Sequence, residues 1–314
     1  MNKSIKRICN IDIKRYNNEK KLLNDMGIFV HFNEDDIMKC KAMIIGPEDT
    51  PYGYGMLFFD ITFTSNYPFN PPKVKYISNS ITRIHPNLYV NGKVCLSILG
   101  TWSGPGWVPT MNIISLLTTI QSLLTSNPIE HEPHFEKETG PRSIQYIKII
   151  NYERFRSLII DRYDNLRPDL QYFKNDIIKS LQKNNTKILE LLDKQSVVNE
   201  GTIYSNIYSI HINTDWKSIN DKIKNILHKN DLIVIDEDVE EEPHTNTNNE
   251  ITDKVDIIIK TPIKKKKYPR KCPNILSKNY PIGTIKISEN DNKQYIVKEY
   301  IVNTKQIKKW VKFE

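Results

Sequence analysis

Residues 83–100, RIHPNLYVNGKVCLSILG, combine a His-Pro-Asn tripeptide with one cysteine, Cys95, which follows the asparagine by eight positions. Proline fixes its own φ, so His85 and Pro86 are expected to form a rigid turn. The Asn87 side-chain amide can donate a hydrogen bond to an oxyanion, and the Cys95 thiol can form a thioester. This spacing of turn, amide and thiol predicts acyl transfer through sulfur.

Further motifs flank this segment on both sides. They are IGPEDTPYGYG at 45–55, YPFNPPKV at 67–74, Trp107, Pro109, Asn127-Pro128 and Glu132-Pro133. In this order the motifs resemble those of the ubiquitin-conjugating enzymes, and the resemblance extends over residues 4–165. Two segments, GTWSGPGW at 100–107 and NPIEHEPHFE at 127–136, are most similar to the large, Z-type members of that family.

The resemblance implies an enzyme that accepts ubiquitin, or a ubiquitin-like modifier, from a ubiquitin-activating enzyme as a thioester on Cys95. The modifier then passes to lysine amines of substrate proteins, usually with a ubiquitin ligase. A thioester conserves the energy already spent by the activating enzyme, so this step needs no nucleotide and no metal. We therefore expect no cofactor, since the sequence lacks both a Gly-x4-Gly-Lys-Ser/Thr loop and clustered His or Cys ligands.

The resemblance also assigns the other catalytic residues. Aminolysis passes through a tetrahedral oxyanion, and Asn87 is expected either to stabilise that charge or to hold the loop through backbone hydrogen bonds. An acidic residue before proline is expected to orient the incoming lysine, and Glu132 occupies that position. NPIEHEP is one residue longer than the family's usual NPDDP, so Glu130 or His131 are the alternatives. His85 is expected to support the turn, with a general-base role as its alternative.

Several surface positions are expected to bind protein partners. By the resemblance, Phe69 and the pair Pro109 and Thr110 lie on two loops that receive ubiquitin ligases. Four basic residues lie on the helix that contacts the activating enzyme in this family: Lys3, Lys6, Arg7 and Lys14.

The composition indicates an intracellular protein that does not cross a membrane. With 314 residues, the chain is long enough for more than one folded unit. Its four cysteines include no Cys-x-x-Cys pair, as expected in a reducing compartment. No apolar run approaches the ~20 residues of a membrane helix, and the basic N-terminus lacks the apolar core of a signal peptide. The net charge of +8 is divided between the tail and several helices, so it does not predict a nucleic-acid partner.

The pattern of apolar residues predicts an α+β core at residues 1–165. A helix is expected at 4–26, four strands in an antiparallel meander at 28–32, 38–45, 56–63 and 73–77, and a buried helix at 112–124. The resemblance implies the UBC fold of the family, in which further helices follow this core.

The rest of the chain divides by composition. Residues 166–230 predict a helical extension, with helices at 169–195 and 215–229, that serves packing or partner recognition. Residues 231–271 predict a charged, disordered linker, in which DEDVEEE is followed by KTPIKKKKYPRK. Residues 272–314 predict a small β module with strands in GTIKIS, QYIVKEYIV and IKKWVKF. This module resembles one found in proteins of giant DNA viruses, and the Ile, Lys and Asn bias suits an AT-rich genome. A viral source implies a location in the host cytoplasm, with the nucleus as an alternative because of the basic run.

Two further hypotheses remain open. The run from Leu232 to Asp238, LIVIDED, resembles strands that add to the sheet edge of SUMO-type modifiers, and a buried strand or linker is the alternative. The whole core could also be a noncatalytic binding module. Such modules typically lack the cysteine, and the presence of Cys95 favours the enzyme.

Overall fold

The computed structural model of this chain describes residues 3–198, 201–231, 284–287, 293–302 and 305–312. These residues fall into two compact units, one within residues 1–240 and one within residues 241–314. The predicted linker beyond residue 231, including the run from Leu232 to Asp238, lies outside the described residues, as does Cys272.

The first unit begins with α1, a continuous helix that changes pitch midway. Its parts are α-helical Lys3–Arg7, π-helical Ile8–Ile13 and α-helical Lys14–Asp25. The π-helical turn contains Asp12, which is fully buried. Asp12 Oδ1 accepts hydrogen bonds from the Tyr67 hydroxyl at 2.6 Å and from the Ile113 amide at 2.8 Å. One carboxylate therefore joins α1 to two segments that lie far away in the sequence.

Four antiparallel strands follow and form one sheet in the order β1-β2-β3-β4. They are Ile28–Phe32, Lys39–Ile45, Met56–Thr62 and Lys73–Ile77. The predicted meander is confirmed. Side chains alternate between the two faces of a strand, so β3 directs Leu57 and Phe59 to one face and Met56 and Phe58 to the other. All four side chains are buried, so both faces of the sheet must be covered.

Helix α2, Ile113–Ser122, packs together with α1 on the face of the sheet that carries Leu57 and Phe59, here called the inner face. Asn112 caps the helix, because its Oδ1 accepts hydrogen bonds from the amides of Ile114 at 2.9 Å and Ser115 at 3.1 Å. The buried stripe of α2 belongs to the same apolar cluster as Leu57 and Phe59 and consists of Ile113, Leu116, Leu117 and Ile120. The helix predicted at 112–124 is thus confirmed.

The outer face is covered by helices that follow the loop region. Helix α3 comprises α-helical Pro141–Glu153, π-helical Arg154–Asp161 and α-helical Arg162–Asp164. A 3-10 turn at Pro168–Phe173 leads into α4, Lys174–Lys183, and α5, Asn185–Val198. The ring centroids of Phe58 and Phe173 are 5.6 Å apart. The extension therefore contributes, together with α3, to the apolar cover of this face.

A hairpin and a long helix follow in the described part of the first unit. Strands β5, Thr202–Ser205, and β6, Ile210–Asn213, pair antiparallel, and α6 spans Trp216–Asp231. The hairpin is absent from the sequence prediction because its strands are short and its turn has no glycine. Tyr208 and Ser209 supply the positive φ angles instead, at 59° and 49°.

The described residues of the second unit form a three-stranded antiparallel sheet in the order β7-β8-β9. The strands are Ile285–Ile287, Gln294–Val302 and Lys305–Lys312. Tyr295 and Val297 of β8 are buried. This sheet confirms the predicted small β module.

The packing of the extension on the sheet is tested by Phe173→Ala. Phe173 is 2% exposed, so its truncation removes buried apolar contacts and should lower the free energy of unfolding by about 3–5 kcal/mol. The neighbouring Tyr172 is 44% exposed, so Tyr172→Ala is the matched control, with an expected loss of about 1 kcal/mol or less. Urea denaturation measures both. Equal losses would show that the extension is not anchored through Phe173.

Candidate active site

Cys95 lies between β4 and α2 and lines a pocket of about 340 Å³. The residue is only 1% exposed, so the pocket is its route to solvent. The remaining lining residues come from the same loop and from the segment around the end of α2: Asn87, Leu96, Ser97, Trp102, Leu123, Glu130, His131, Pro133 and Glu136. The pocket thus combines the predicted nucleophile and the predicted amide donor with two carboxylates.

Two hydrogen bonds tie Asn87 to the cysteine. The Cys95 amide donates to the Asn87 carbonyl at 2.9 Å, and Asn87 Nδ2 donates to the Cys95 carbonyl at 2.8 Å. The amide therefore holds the backbone of Cys95, which is one of the two roles predicted for it. Because Nδ2 carries a second hydrogen, this bond does not exhaust its donors. The oxyanion role of Asn87 stays a prediction.

His85 continues this network toward α2. The backbone amide of Asn87 donates to His85 Nδ1 at 2.9 Å, and His85 Nε2 lies 2.8 Å from the Leu123 carbonyl oxygen. Nδ1 must therefore accept and Nε2 must donate, which defines a neutral imidazole. Burial, together with the nearby His131, lowers the pKa of His85 to about 3. Both nitrogens are occupied, so the geometry favours the turn role of His85 over the general-base alternative.

Two residues outside the sequence prediction also shape the loop. Thr101 Oγ1 donates to the Val94 carbonyl at 2.7 Å and accepts from the Leu96 amide at 2.9 Å, so it braces the chain on both sides of Cys95. Gly92 has a φ of +93°, and a Cβ there would lie 3.0 Å from the Tyr76 carbonyl oxygen. An Asn-Gly pair is a sequence signal for such a turn, whereas no pattern marks Thr101.

The carboxylates of the segment between α2 and α3 line two different pockets. Of the three acids near the predicted position, Glu130 and Glu136 line the pocket of Cys95. Glu132 lines a neighbouring pocket of about 370 Å³ instead. There its carboxylate accepts a hydrogen bond from the Tyr208 hydroxyl and lies 3.7 Å from the Arg83 guanidinium.

The backbone explains this separation. A 3-10 turn at Pro128–His131 ends immediately before Glu132, which is extended with φ −87° and ψ 132°. The two side chains therefore leave the segment in different directions. Glu130 lines the pocket of Cys95 and Glu132 does not, and the catalytic role predicted for Glu132 stays a prediction.

The predicted partner-binding residues are exposed and lie on two connected loops: Phe69, Pro109 and Thr110. The Trp107 indole donates to the Pro68 carbonyl at 2.7 Å, which ties one loop to the other. Arg7 of α1 donates to the Met111 carbonyl at 3.0 Å. The structure thus joins both predicted ligase loops to the helix predicted to meet the activating enzyme.

The other described cysteines are Cys9 and Cys40, and both are unpaired. Burial raises the pKa of the Cys40 thiol, which keeps it protonated and suits its predicted structural role. Within the described ranges, no three His, Cys, Asp or Glu side chains are grouped so that they could hold a metal ion. No helix in that part of the chain is long and apolar enough to span a membrane.

Known proteins resemble the region around this site. Residues 13–142 match the model of a family described as ubiquitin-conjugating enzyme. The chain is 45% identical to ubiquitin-conjugating enzyme E2 Z of Homo sapiens over 145 residues. These residues are 45% of this chain and 41% of that protein. The protein of the same name from Danio rerio is 46% identical over 138 residues, which are 43% of this chain and 42% of that protein. The chain thus spans about two fifths of the length of these relatives.

Solved structures are also similar in sequence. Human ubiquitin-conjugating enzyme E2 G1 is 31% identical, with a TM-score of 0.29, over 35% of this chain and 92% of that chain.

The buried neutral His85 predicts a pH dependence of stability. Its pKa is about 3 in the folded state and about 6.5 in an unfolded chain, so the unfolded chain binds the additional proton between these values. The stabilisation is complete above pH 6.5 and is lost as pH falls toward 3, with a slope of up to about 1.4 kcal/mol per pH unit. His85→Asn should reduce this slope in denaturation series between pH 4 and 7. The exposed His211→Asn is the control, and identical slopes in His85→Asn and the wild type would refute the assignment.

Proposed function

We propose that this chain, whose residues 13–142 match the model of a family described as ubiquitin-conjugating enzyme, carries ubiquitin or a ubiquitin-like modifier as a thioester on Cys95. It then transfers the modifier to lysine amines of substrate proteins. The observation that carries the proposal is the setting of Cys95: its backbone is bonded to Asn87 and its side chain lines an open pocket. A cysteine that only fills the core would need neither feature.

The first step is a thioester exchange with the activating enzyme. The Cys95 sulfur attacks the carbonyl carbon at the modifier's C-terminus, and the bond from that carbon to the activating enzyme's sulfur breaks. The departing sulfur takes up the equivalent of the proton lost by the Cys95 thiol. One thioester is formed for each one broken, so the exchange needs no cofactor.

In the second step a lysine amine attacks the same carbonyl carbon. The tetrahedral oxyanion collapses by breaking the bond to Cys95, so an amide forms and the proton lost by the amine is returned to sulfur. A donor aimed at such an oxyanion typically contributes about 3–4 kcal/mol to the barrier. The second hydrogen of Asn87 Nδ2 is the candidate donor.

The carboxylates of the pocket suit a lysine as acceptor. The amine arrives largely as an ammonium ion at neutral pH, and a nearby carboxylate attracts it and can orient it for attack. Glu130 and Glu136 line the pocket of Cys95 and can meet the acceptor there. Glu130, the alternative left open by the sequence analysis, is therefore a stronger candidate than Glu132 for the orienting role.

The partners follow from the same family. We propose that the activating enzyme contacts α1 through Lys3, Lys6, Arg7 and Lys14, and that ligases contact Phe69, Pro109 and Thr110. Phe69 is 68% exposed beside loops that are tied to α1, which supports a shared recognition surface. Binding of a ligase domain to Phe69→Ala, compared with the wild type, is the deciding measurement.

The finer assignments are also part of the proposal. The identity to E2 Z proteins supports a Z-type enzyme, and the Ile, Lys and Asn bias supports a giant DNA virus as its source. The host cytoplasm or nucleus is then the expected location, which microscopy of the full chain in host cells tests.

The run from Leu232 to Asp238 would bind a SUMO-type modifier, and unchanged binding after alanine replaces Ile233 and Ile235 would refute this.

Cys95→Ala tests the enzyme against a noncatalytic binding module. Incubated with an activating enzyme, ATP and ubiquitin, the wild type should form an adduct that disappears in reducing gels, because a thioester is cleaved by thiols. Cys95→Ala should form none, while Cys9→Ala should behave as the wild type. If no adduct forms with several activating enzymes and modifiers, the binding module is favoured.

Glu130→Gln tests the orienting carboxylate. Discharge of the thioester to free lysine should slow by about tenfold or more, while charging of Cys95 stays efficient. A positioned acid or base typically contributes at least about 100-fold, so a loss of about tenfold is a modest expectation. Single-turnover discharge assays on gels measure the rate. Glu132→Gln is the matched variant, because it keeps an acceptor for Tyr208. A larger loss in Glu132→Gln than in Glu130→Gln would restore the assignment made from the sequence.

A further inference from the structure

The turn of the β5–β6 hairpin places Tyr208 in an unfavourable backbone conformation. Its φ is 59°, and the next residue, Ser209, has φ 49°. Large side chains rarely occupy this region, and each such residue costs on the order of 1–3 kcal/mol. Such a turn persists only where surrounding contacts determine it, so the contacts of Tyr208 indicate what the turn is for.

The ring of Tyr208 contacts the segment that leads into the His-Pro-Asn turn. The Arg83 guanidinium carbon lies 4.2 Å from the Tyr208 ring centroid and 3.8 Å from that of Tyr89, so both rings hold it. Arg83 in turn donates a hydrogen bond to the Pro86 carbonyl. Its own carbonyl accepts from the Tyr146 hydroxyl at 2.9 Å. The hairpin therefore supports the turn that carries His85.

The hydroxyl of Tyr208 contacts the segment between α2 and α3, which also carries Glu130. It donates a hydrogen bond to Glu132, two residues after Glu130. Burial, and secondly the bond to Glu132, raises the pKa of Tyr208 well above its usual value, so the hydroxyl stays protonated as a donor. Tyr208 thus touches both segments that line the Cys95 pocket without lining it.

We propose that Tyr208 is a positioning residue for acyl transfer. By tethering Glu132 it holds the segment that carries Glu130 against the Cys95 pocket, so that the thioester reacts with an amine in preference to water. This inference rests on the proposed function. Aminolysis forms an amide and hydrolysis forms a carboxylate, and both release the Cys95 thiol, so the balance between them reports how well the acceptor is oriented.

Tyr208→Phe is the decisive variant, because it keeps the ring on Arg83 and removes only the hydroxyl. The ratio of lysine adduct to hydrolysed ubiquitin, measured from the purified thioester in single turnovers, should fall by about tenfold, the factor for about 1.4 kcal/mol and near the low end for a hydrogen bond to a charged group. This product ratio does not depend on how much of the protein was charged. Tyr204→Phe, on the exposed face of the same hairpin, should leave it unchanged.

A double-mutant cycle tests whether the effect passes through Glu132. Combining Tyr208→Phe with Glu132→Ala should lower the ratio no further than either change alone, because both break one tether. Glu132→Gln should retain more of the ratio than Glu132→Ala, because its amide oxygen still accepts from Tyr208. Additive losses, or a Tyr208→Phe ratio equal to that of the wild type, would overturn the proposal.

Hydrogen exchange separates this proposal from the proposed function. The amides of Glu132 and Phe135 donate within the tethered segment, to Ile129 at 2.9 Å and to Glu132 at 3.0 Å. In Tyr208→Phe these amides should exchange several-fold faster than in Tyr204→Phe, whether or not any thioester forms. If Cys95 cannot be charged but these amides still exchange faster in Tyr208→Phe than in Tyr204→Phe, only the proposed function is refuted. Equal exchange in the two variants would refute the role of Tyr208.

Discussion

A continuous chain of hydrogen bonds holds Cys95 in place, and it starts at the end of α2. The Leu123 carbonyl is among the last carbonyls of that helix, which have no partner within the helix, and His85 occupies it. His85 then accepts from Asn87, whose carbonyl and side-chain amide both bind the backbone of Cys95. His85 must accept at Nδ1 and donate at Nε2, and only one neutral tautomer of the imidazole does both. The neutral imidazole is therefore the condition on which the position of the thiol depends.

The second constraint is a sheet that is apolar on both faces. Leu57 and Phe59 of β3 pack toward α1 and α2, whereas Met56 and Phe58 pack toward the helices that follow the site. Apolar surface on each side has to be removed from water. The helical extension is thereby part of the body that holds the loops, and Phe173 at its start contacts Phe58 directly.

Polar side chains also join segments that lie far apart in the sequence. Buried Asp12 connects α1 with the loop of Tyr67 and with the first turn of α2. Tyr208 connects the hairpin of the extension with Arg83 and Glu132. Burial raises the pKa of both Asp12 and Tyr208, because a low-dielectric site disfavours the charged form. Their directional contacts fix the relative positions of the segments that they join, which apolar packing alone, being non-directional, would not fix.

Local pattern determined much of this protein. Apolar runs bounded by Gly-Pro and Pro-Pro predicted the four strands of the first sheet, the apolar helix was predicted to begin at Asn112, and the spacing from Asn87 to Cys95 predicted the nucleophile. Only the tertiary structure shows which carboxylates line the pocket of Cys95, because the directions in which Glu130 and Glu132 leave a 3-10 turn depend on what each can contact. The contact from Tyr208 to Glu132 joins residues 76 positions apart. No local periodicity encodes such a pair, since it exists only after the extension has packed on the sheet.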